Sequence, residues 1–368
     1  MAAPPDARTL PLEDMHVSAG ARFGAFAGWR MPLSYPLGVL KEHLWTRAHA
    51  GLFDISHMRL FRVEGADAAR FLAHACPLDP AGMALGQSRL SLLLDEQAGI
   101  LDDLIVTRLG ADRFAVVANA GNAEADERHL RALAAPFDLL TITAVPCAIL
   151  ALQGPEAEDA LRRAGVKTLP QTFMTGLETD QGWFITRSGY TGEDGFELSL
   201  PADAARRLAT ALLADPAVEW IGLAARDSLR LEAGLCLHGQ DIGPDIDPAA
   251  AGLLWAIPKP VRETGAFLGA AALAASAAAG PSRKRVGLRP EGRQPVRAGA
   301  PLFSGDGTPV GTVTSGGFGP SADHPVSMGL VASSFAAPST SLHAEVRGAK
   351  VPVVVSSLPF IPHRYRRG

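Results

Sequence analysis

The sequence predicts an α+β protein, a large N-terminal body followed by a small C-terminal β domain. Three observations carry that prediction. Helical-period and alternating segments are interspersed up to about residue 262. An Ala/Gly run at 268–280 and the basic PSRKR at 281–285 then break the texture. From 286 onward only short strands and Gly/Pro turns remain, at the close spacing of a small barrel or sandwich.

The elements follow in order. PLGVLKEHLWTRAHAG reads as a helix with Val39, Leu40, His43, Leu44 and Ala48 near one face and Gly51 as its stop. LFRVEG (60–65) reads as a strand and ADAARFLAHA (66–75) as a helix. RLSLLLD (89–95), ILDDLIVTRL (100–109) and RFAVVAN (113–119) give an antiparallel sheet signal, and NAEADERHLRALAA (122–135) is helical. ITAVPCAILALQG (142–154) is strand-like, and PEAEDALRRAG (155–165) is a helix opened by Pro. WFITRSGYTGEDGFELSLP (183–201) reads as a hairpin, followed by helices at 202–214 and 223–234. The strands VGLRP, APLFSGDGTPVGTVTSGG, VSMGLV, LHAEVRG and VPVVVSSL close the chain.

The 368 residues are 47% apolar and 20% charged, as in an ordinary globular enzyme. A net charge of −4 gives no basic field to recruit nucleic acid. Cys76, Cys147 and Cys236 are odd in number and form no CxxC, which argues against a disulfide framework or a thiolate zinc site. The most apolar run is too short to span a bilayer. The N-terminal MAAPPDARTLPLEDM lacks the apolar core of a leader, so the expected compartment is the reducing cytoplasm. No GxGxxG follows a strand, and GxxxxGK[ST], HExxH and GxSxG are missing. We expect no metal, no membrane and no nucleic acid, and a monomer that meets partners transiently.

Four places carry chemistry. Asp102 and Asp103 open an apolar strand, and alternation puts one on each side of the sheet. Asp102 shares a side with Leu104 and Val106, and Asp103 with Leu101 and Ile105. A carboxylate against apolar surface must be paired or have a raised pKa, although a solvated strand end would serve as well. In GYTGEDGFE (189–197), Tyr190 and Glu197 bracket a turn and could face one pocket, or the segment is simply a hairpin tip. Arg226 and Arg230 lie one helical turn apart, pointing either into a site or into a surface ion-pair face with Asp227 and Glu232. PFIPHRY places Tyr365 near the end of the chain.

Six blocks together resemble the glycine cleavage T protein family over almost the whole chain. They are FAGWRMPLSYPLGVLKEH with AGLFDISHM, GILDDLIV with VVANAGNAEAD, LQGPEA, RSGYTGEDGFELSLP, GLAARDSLRLEAGLCLHGQDI, and VGTVTSGGFGP with LPFIPHRY. They stand in family order at family spacing. The resemblance implies a folate-binding body of antiparallel sheets and helices in two subdomains over 1–275 and a β-barrel domain over 284–366. It implies that the methylene of an S-aminomethyl-dihydrolipoyl carrier, the H protein, passes to tetrahydrofolate with release of ammonia. Asp102 matches the family's catalytic acid, and Asp103 is the less favoured of the pair. Glu197, Arg226, Tyr190 and Tyr365 match folate contacts, and Asn119 is expected to support the cofactor or Asp102.

This chain departs from the family at Leu90 and Leu92, where an aromatic wall is often found, at His238, often Tyr, and in SGGFGP. Two other readings stay open. One is a related folate-dependent demethylase or one-carbon transferase, although no flavin-binding loop is present. The other is a non-catalytic folate-binding accessory protein, whose Cys-containing motif LRLEAGLCLHGQDI does not match.

Overall fold

The computed structural model describes residues 6–368. Residues 1–5, which open the expected body and the stretch read for a leader, lie outside the described residues. The chain is an α+β protein of three sheets, their covering helices and a closed C-terminal barrel. No helix among the described residues is long and apolar enough to cross a membrane.

A six-stranded sheet runs in the order Thr175–Glu178, Phe184–Arg187, Gly195–Leu200, Ala148–Gln153, Ala50–Asp54, Val218–Trp220. Helices Ala157–Arg163 and Ala202–Leu213 supply Ala160, Leu161, Leu208 and Leu212 to the core on one face of it. A five-stranded sheet runs Ser88–Leu94, Ile100–Arg108, Arg113–Ala118, Arg59–Glu64, Thr141–Val145. Helix Ala68–Ala75 covers it, burying Ala68, Phe71, Leu72 and Ala75, the i, i+3, i+4, i+7 set of one stripe. Phe71 and Leu72 each stabilise this packing by about 1.5–3 kcal/mol. A small sheet of Arg8–Thr9, Trp29–Ser34 and Arg22–Phe26 forms near the N-terminus.

The barrel closes in the order Arg283–Pro290, His324–Ala332, Pro309–Gly319, Pro301–Phe303, Ser341–Val346, Ala349–Ser356. Val, Leu and Ala side chains such as Leu288, Val296, Leu302 and Val353 fill its interior. The tail beyond it returns to the body, where Phe173 N–H donates to the Arg366 carbonyl.

Two expectations need correction. The segment 142–154 is two strands broken at Pro146–Cys147, and they belong to different sheets. A strand-like apolar run does not reveal a change of sheet, and here Pro146 marks the break. The helix Val39–Ala48 forms, but Val39, Leu40 and Leu44 face solvent while Glu42, His43, Thr46 and Arg47 are buried. Its inner face is polar because it is fully partnered. Glu42 accepts the backbone N–H groups of Tyr35 and Gly222, at 2.7 and 2.8 Å. His43 and Arg47 bind Glu232, both at 3.0 Å.

Candidate active site

The strand Ile100–Arg108 decides the site. Its burial alternates, so Asp102 points down with Leu104 and Val106 into the core under helices Ala68–Ala75 and Ala123–Leu133. Asp103 and Ile105 point the other way, into a cavity of about 1540 Å³. Of the two acids, the structure brings the one less favoured in the sequence to the cavity. Asp103 lines the cavity, and Asp102 is fully buried behind the wall. Alternation was legible in the sequence. Which side held the cavity was not, because both sides carry apolar neighbours.

Asn119 binds the two acids together. Its Nδ2 donates to Asp102 Oδ1 and Asp103 Oδ1, each at 2.9 Å, and its backbone N–H donates to Asp102 Oδ2 at 3.1 Å. Asn122 Nδ2 adds a bond to Asp102 Oδ1 at 2.8 Å and reaches His238 Nδ1 at 2.8 Å. His238 Nε2 lies 3.1 Å from the Ile100 carbonyl and donates to it, which leaves Nδ1 free to accept. The position at which the family often has Tyr thus holds an imidazole tied to the floor of the site. Burial, reinforced by the Asp102 carboxylate next door, pushes Asp103 up to about 7.

The opposite wall comes from the hairpin and the helix Leu223–Glu232. Gly192 sits at φ +81°, where a side chain would be strained, and an added Cβ would meet Ala233 at 3.0 Å. The loop can therefore fold tightly enough to bring Tyr190 and Glu197 into the cavity. Tyr190 lies in that loop rather than on a strand, and its hydroxyl donates to the Cys236 carbonyl. Glu197 Oε2 accepts from Ser188 Oγ at 2.8 Å. The Arg226 guanidinium lies 4.8 Å from the Tyr190 ring centroid. Its buried Nη1 finds no acceptor among the described residues. Burial lowers the Arg226 pKa, and the Glu197 charge opposes that.

Tyr365 completes the set from the C-terminal tail. It stacks on Phe173 at 3.7 Å between centroids and faces the same cavity. Asp103, Asn119, Tyr190, Glu197, Arg226 and Tyr365 therefore line one space. Its volume exceeds the roughly 300–1,000 Å³ of a pocket for one small ligand, which leaves room for two reactants.

The residue reading missed three further wall residues. His57, from AGLFDISHM, is held down to about 3 by burial and by the Arg226 charge, so it is neutral. Arg285 enters from the barrel, where it donates to the Ala251 and Gly234 carbonyls. Trp255 stands at the rim, 72% exposed, offering an aromatic face near the site that lacks one at Leu90. His57 sits in a quoted motif and was within reach of the sequence. Arg285 and Trp255 carry no local signal.

The sequence matches the GCVT N-terminal domain over residues 12–260 and the glycine cleavage T-protein C-terminal barrel domain over residues 283–361. It is similar to the mitochondrial aminomethyltransferase of Gallus gallus, 43% identical over 374 residues, covering 99% of this chain and 95% of that protein. The mitochondrial aminomethyltransferase of Homo sapiens is 42% identical over 370 residues, covering 97% of this chain and 91% of that protein. The crystal structure of glycine cleavage system aminomethyltransferase T from Bartonella henselae matches with a TM-score of 0.96 and 59% identity, over 98% of this chain and 99% of that one.

Proposed function

The chain belongs to the glycine cleavage T-protein family and is an aminomethyltransferase of that system, and from this premise we propose how its cavity carries out the transfer. The donor is the aminomethyl group on the dihydrolipoyl arm of the H protein, and the acceptor is tetrahydrofolate. The proposal rests on one observation: six residues spread from position 103 to 365 line a single cavity.

The cavity suits a folate. A pterin presents a guanidine-like edge, which an ionised Glu197 can accept from side by side. The unpartnered Arg226 Nη1 needs an acceptor, which a folate ring or tail carboxylate supplies. Tyr190 and Tyr365 offer flat faces for the ring and its linker. Tetrahydrofolate brings two secondary-amine nitrogens that capture the methylene. Between donor and products, those two nitrogens each lose a proton, the lipoyl sulfur gains one, and the amine gains one as it leaves as ammonia.

Asp103 is the residue we assign to that proton traffic. A carboxyl near neutrality both accepts and returns a proton at working pH. Its ionised form also stabilises cationic character at the reacting carbon in a site shielded from water. Asp102 and Asn119 act behind it, fixing its position and electrostatics. We divide the chain into a body over 1–275 and a barrel unit over 284–366, and place the protein in the cytoplasm, in keeping with its free cysteines.

The test is ammonia release from aminomethyl-loaded H protein with tetrahydrofolate. The wild type should turn over, and Asp103→Asn should lose about 10²–10⁴-fold in kcat. An Asp103→Asn enzyme at the wild-type rate would overturn the assignment.

A further inference from the structure

Tyr365 reaches the cavity from the C-terminal tail, and the contacts around it show what holds it there. The tail is stitched to the body bond by bond. His363 Nε2 donates to the Ala233 carbonyl at 2.8 Å, and the Arg364 backbone N–H donates to the Gly192 carbonyl at 2.8 Å. The Arg366 backbone N–H donates to Asp194 Oδ1 at 3.2 Å, and Arg366 Nη1 donates to Glu158 Oε2 at 2.8 Å. The Arg366 carbonyl accepts the Phe173 N–H at 2.8 Å. These bonds fix the backbone on both sides of Tyr365. Its ring meets two others. His363, from the tail itself, is tilted by 38° at 4.8 Å between centroids. Phe173, from the body, lies parallel to it, 3.7 Å between centroids and 4° between planes.

Phe173 is itself firmly placed. The next residue, Met174, has φ +60°, a left-handed conformation that a side chain disfavours. Both of its backbone groups are committed there. Its N–H donates to the Arg187 carbonyl at 2.8 Å, and its carbonyl accepts the Ser88 N–H at 2.9 Å. Thr175 bridges Gln87 in the same place. The segment 173–175 therefore lies beside the start of the strand Ser88–Leu94, whose Leu90 stands where the family often has an aromatic. Phe173, Leu90 and Tyr365 all line the cavity.

We propose that Phe173 is a positioning residue for folate binding: it braces the Tyr365 ring at the cavity wall, so that a tail residue serves as the aromatic wall that Leu90 does not supply. The inference rests on the reading that tetrahydrofolate occupies this cavity against Tyr365. An unbraced ring on a tail would lose its rotamer freedom only when the ligand arrived, and that ordering would weaken binding. The stack orders it beforehand. The face that Phe173 turns to Tyr365 is covered, so Phe173 acts through the tyrosine.

The experiment measures tetrahydrofolate affinity by calorimetry, and kcat with aminomethyl-loaded H protein, for Phe173→Leu, Phe173→Tyr, Tyr365→Leu and the double variant Phe173→Leu/Tyr365→Leu. A stacked aromatic pair is worth about 3–10-fold in an equilibrium. Phe173→Leu should weaken tetrahydrofolate by that factor and leave kcat at saturation within about twofold. Phe173→Tyr keeps the stack and should bind within about twofold of wild type. In the Tyr365→Leu background, Phe173→Leu should cost nothing further, because the ring it braces is gone. Wild-type affinity for Phe173→Leu, equal losses for Phe173→Tyr and Phe173→Leu, or additive losses in the double variant overturn the proposal. A second readout needs no ligand. The chain has three tyrosines, Tyr35, Tyr190 and Tyr365, so tyrosine labelling isolates the Tyr365 ring resonances as those lost in Tyr365→Leu. They should move downfield in Phe173→Leu as the stacked ring is removed, and resonances that stay in place overturn the brace. Tyr365→Leu separates the two readings. If that variant binds tetrahydrofolate as wild type does, the folate contact at Tyr365 fails. If it binds weakly while Phe173→Leu binds as wild type, only this inference fails.

Discussion

Replacing Asp103 by Asn should remove activity and at the same time make the folded chain more stable. The ordinary carboxyl value is 3.8, and in the fold burial and Asp102 push Asp103 up to about 7. At 1.36 kcal/mol per unit, that shift of about 3 units is worth about 4 kcal/mol. The folded-state value lies above the unfolded one, so the favourable contribution is full below pH 4. It is lost as pH rises to about 7 and is level beyond that. Asn does not titrate, so the stability of the variant relative to wild type should climb across the same window. About 3 kcal/mol of the total falls between pH 4.5 and 8, and water in the cavity screens it to about 2 kcal/mol. Urea unfolding of both proteins at the two pH values measures the difference, and carboxyls remote from Asp103 cancel in the comparison. A difference that stays flat with pH, or an Asn variant less stable at pH 8, would refute the claim that Asp103 sits in a desolvated, like-charged place.

Two further outcomes follow from the buried arginines and acids. Arg226→Met removes a guanidinium whose Nη1 has no protein acceptor, so tetrahydrofolate affinity by calorimetry should fall by about 30-fold or more while urea stability is kept. Unchanged affinity would detach Arg226 from the folate. Glu232 is held down to about 2: burial alone would raise it, but His43 and Arg47 bind its charged form. That stabilisation is present above the ordinary 4.5 and is lost as pH falls toward 2. Glu232→Gln should therefore cost about 3 kcal/mol at pH 7, and its deficit against wild type should shrink in acid unfolding.

What the sequence made legible was local. Period and alternation located the strand Ile100–Arg108 and the helix Ala68–Ala75 to within a residue or two, and the outer ends of the hairpin 183–201 but not where its strands stop at the loop. They also showed that Asp102 and Asp103 must face opposite ways. They could not choose the open side, because Leu101 and Ile105 are as apolar as Leu104 and Val106. The helix Val39–Ala48 misled for the converse reason. Burial of Glu42, His43 and Arg47 depends on partners almost two hundred residues away, such as Gly222 and Glu232, which no local pattern records. Leu40 and Leu44 were left to face water.

The helix Leu223–Glu232 shows why the bland reading of its arginines was half right. Arg230 does form ion pairs, with Asp227 and, at 2.8 Å, with Asp241, and it reaches Ser315 of the barrel. Glu232, at the end of the same helix, accepts the Ser321 backbone N–H at 2.7 Å and, as above, His43 and Arg47. These bonds clamp the helix between the body and the barrel. Arg226, one turn earlier on the same side as Arg230, is half-buried and its Nη1 has no such partner, which is costly for an isolated helix. The clamp makes that cost tolerable, because letting Arg226 swing out to water would mean breaking both networks. A charged donor is thereby held unpaired in the cavity wall, ready for an anionic or carbonyl acceptor. The stabilising networks and the unsatisfied group belong to one device, and the spacing of Arg226 and Arg230 in the sequence records only its pitch.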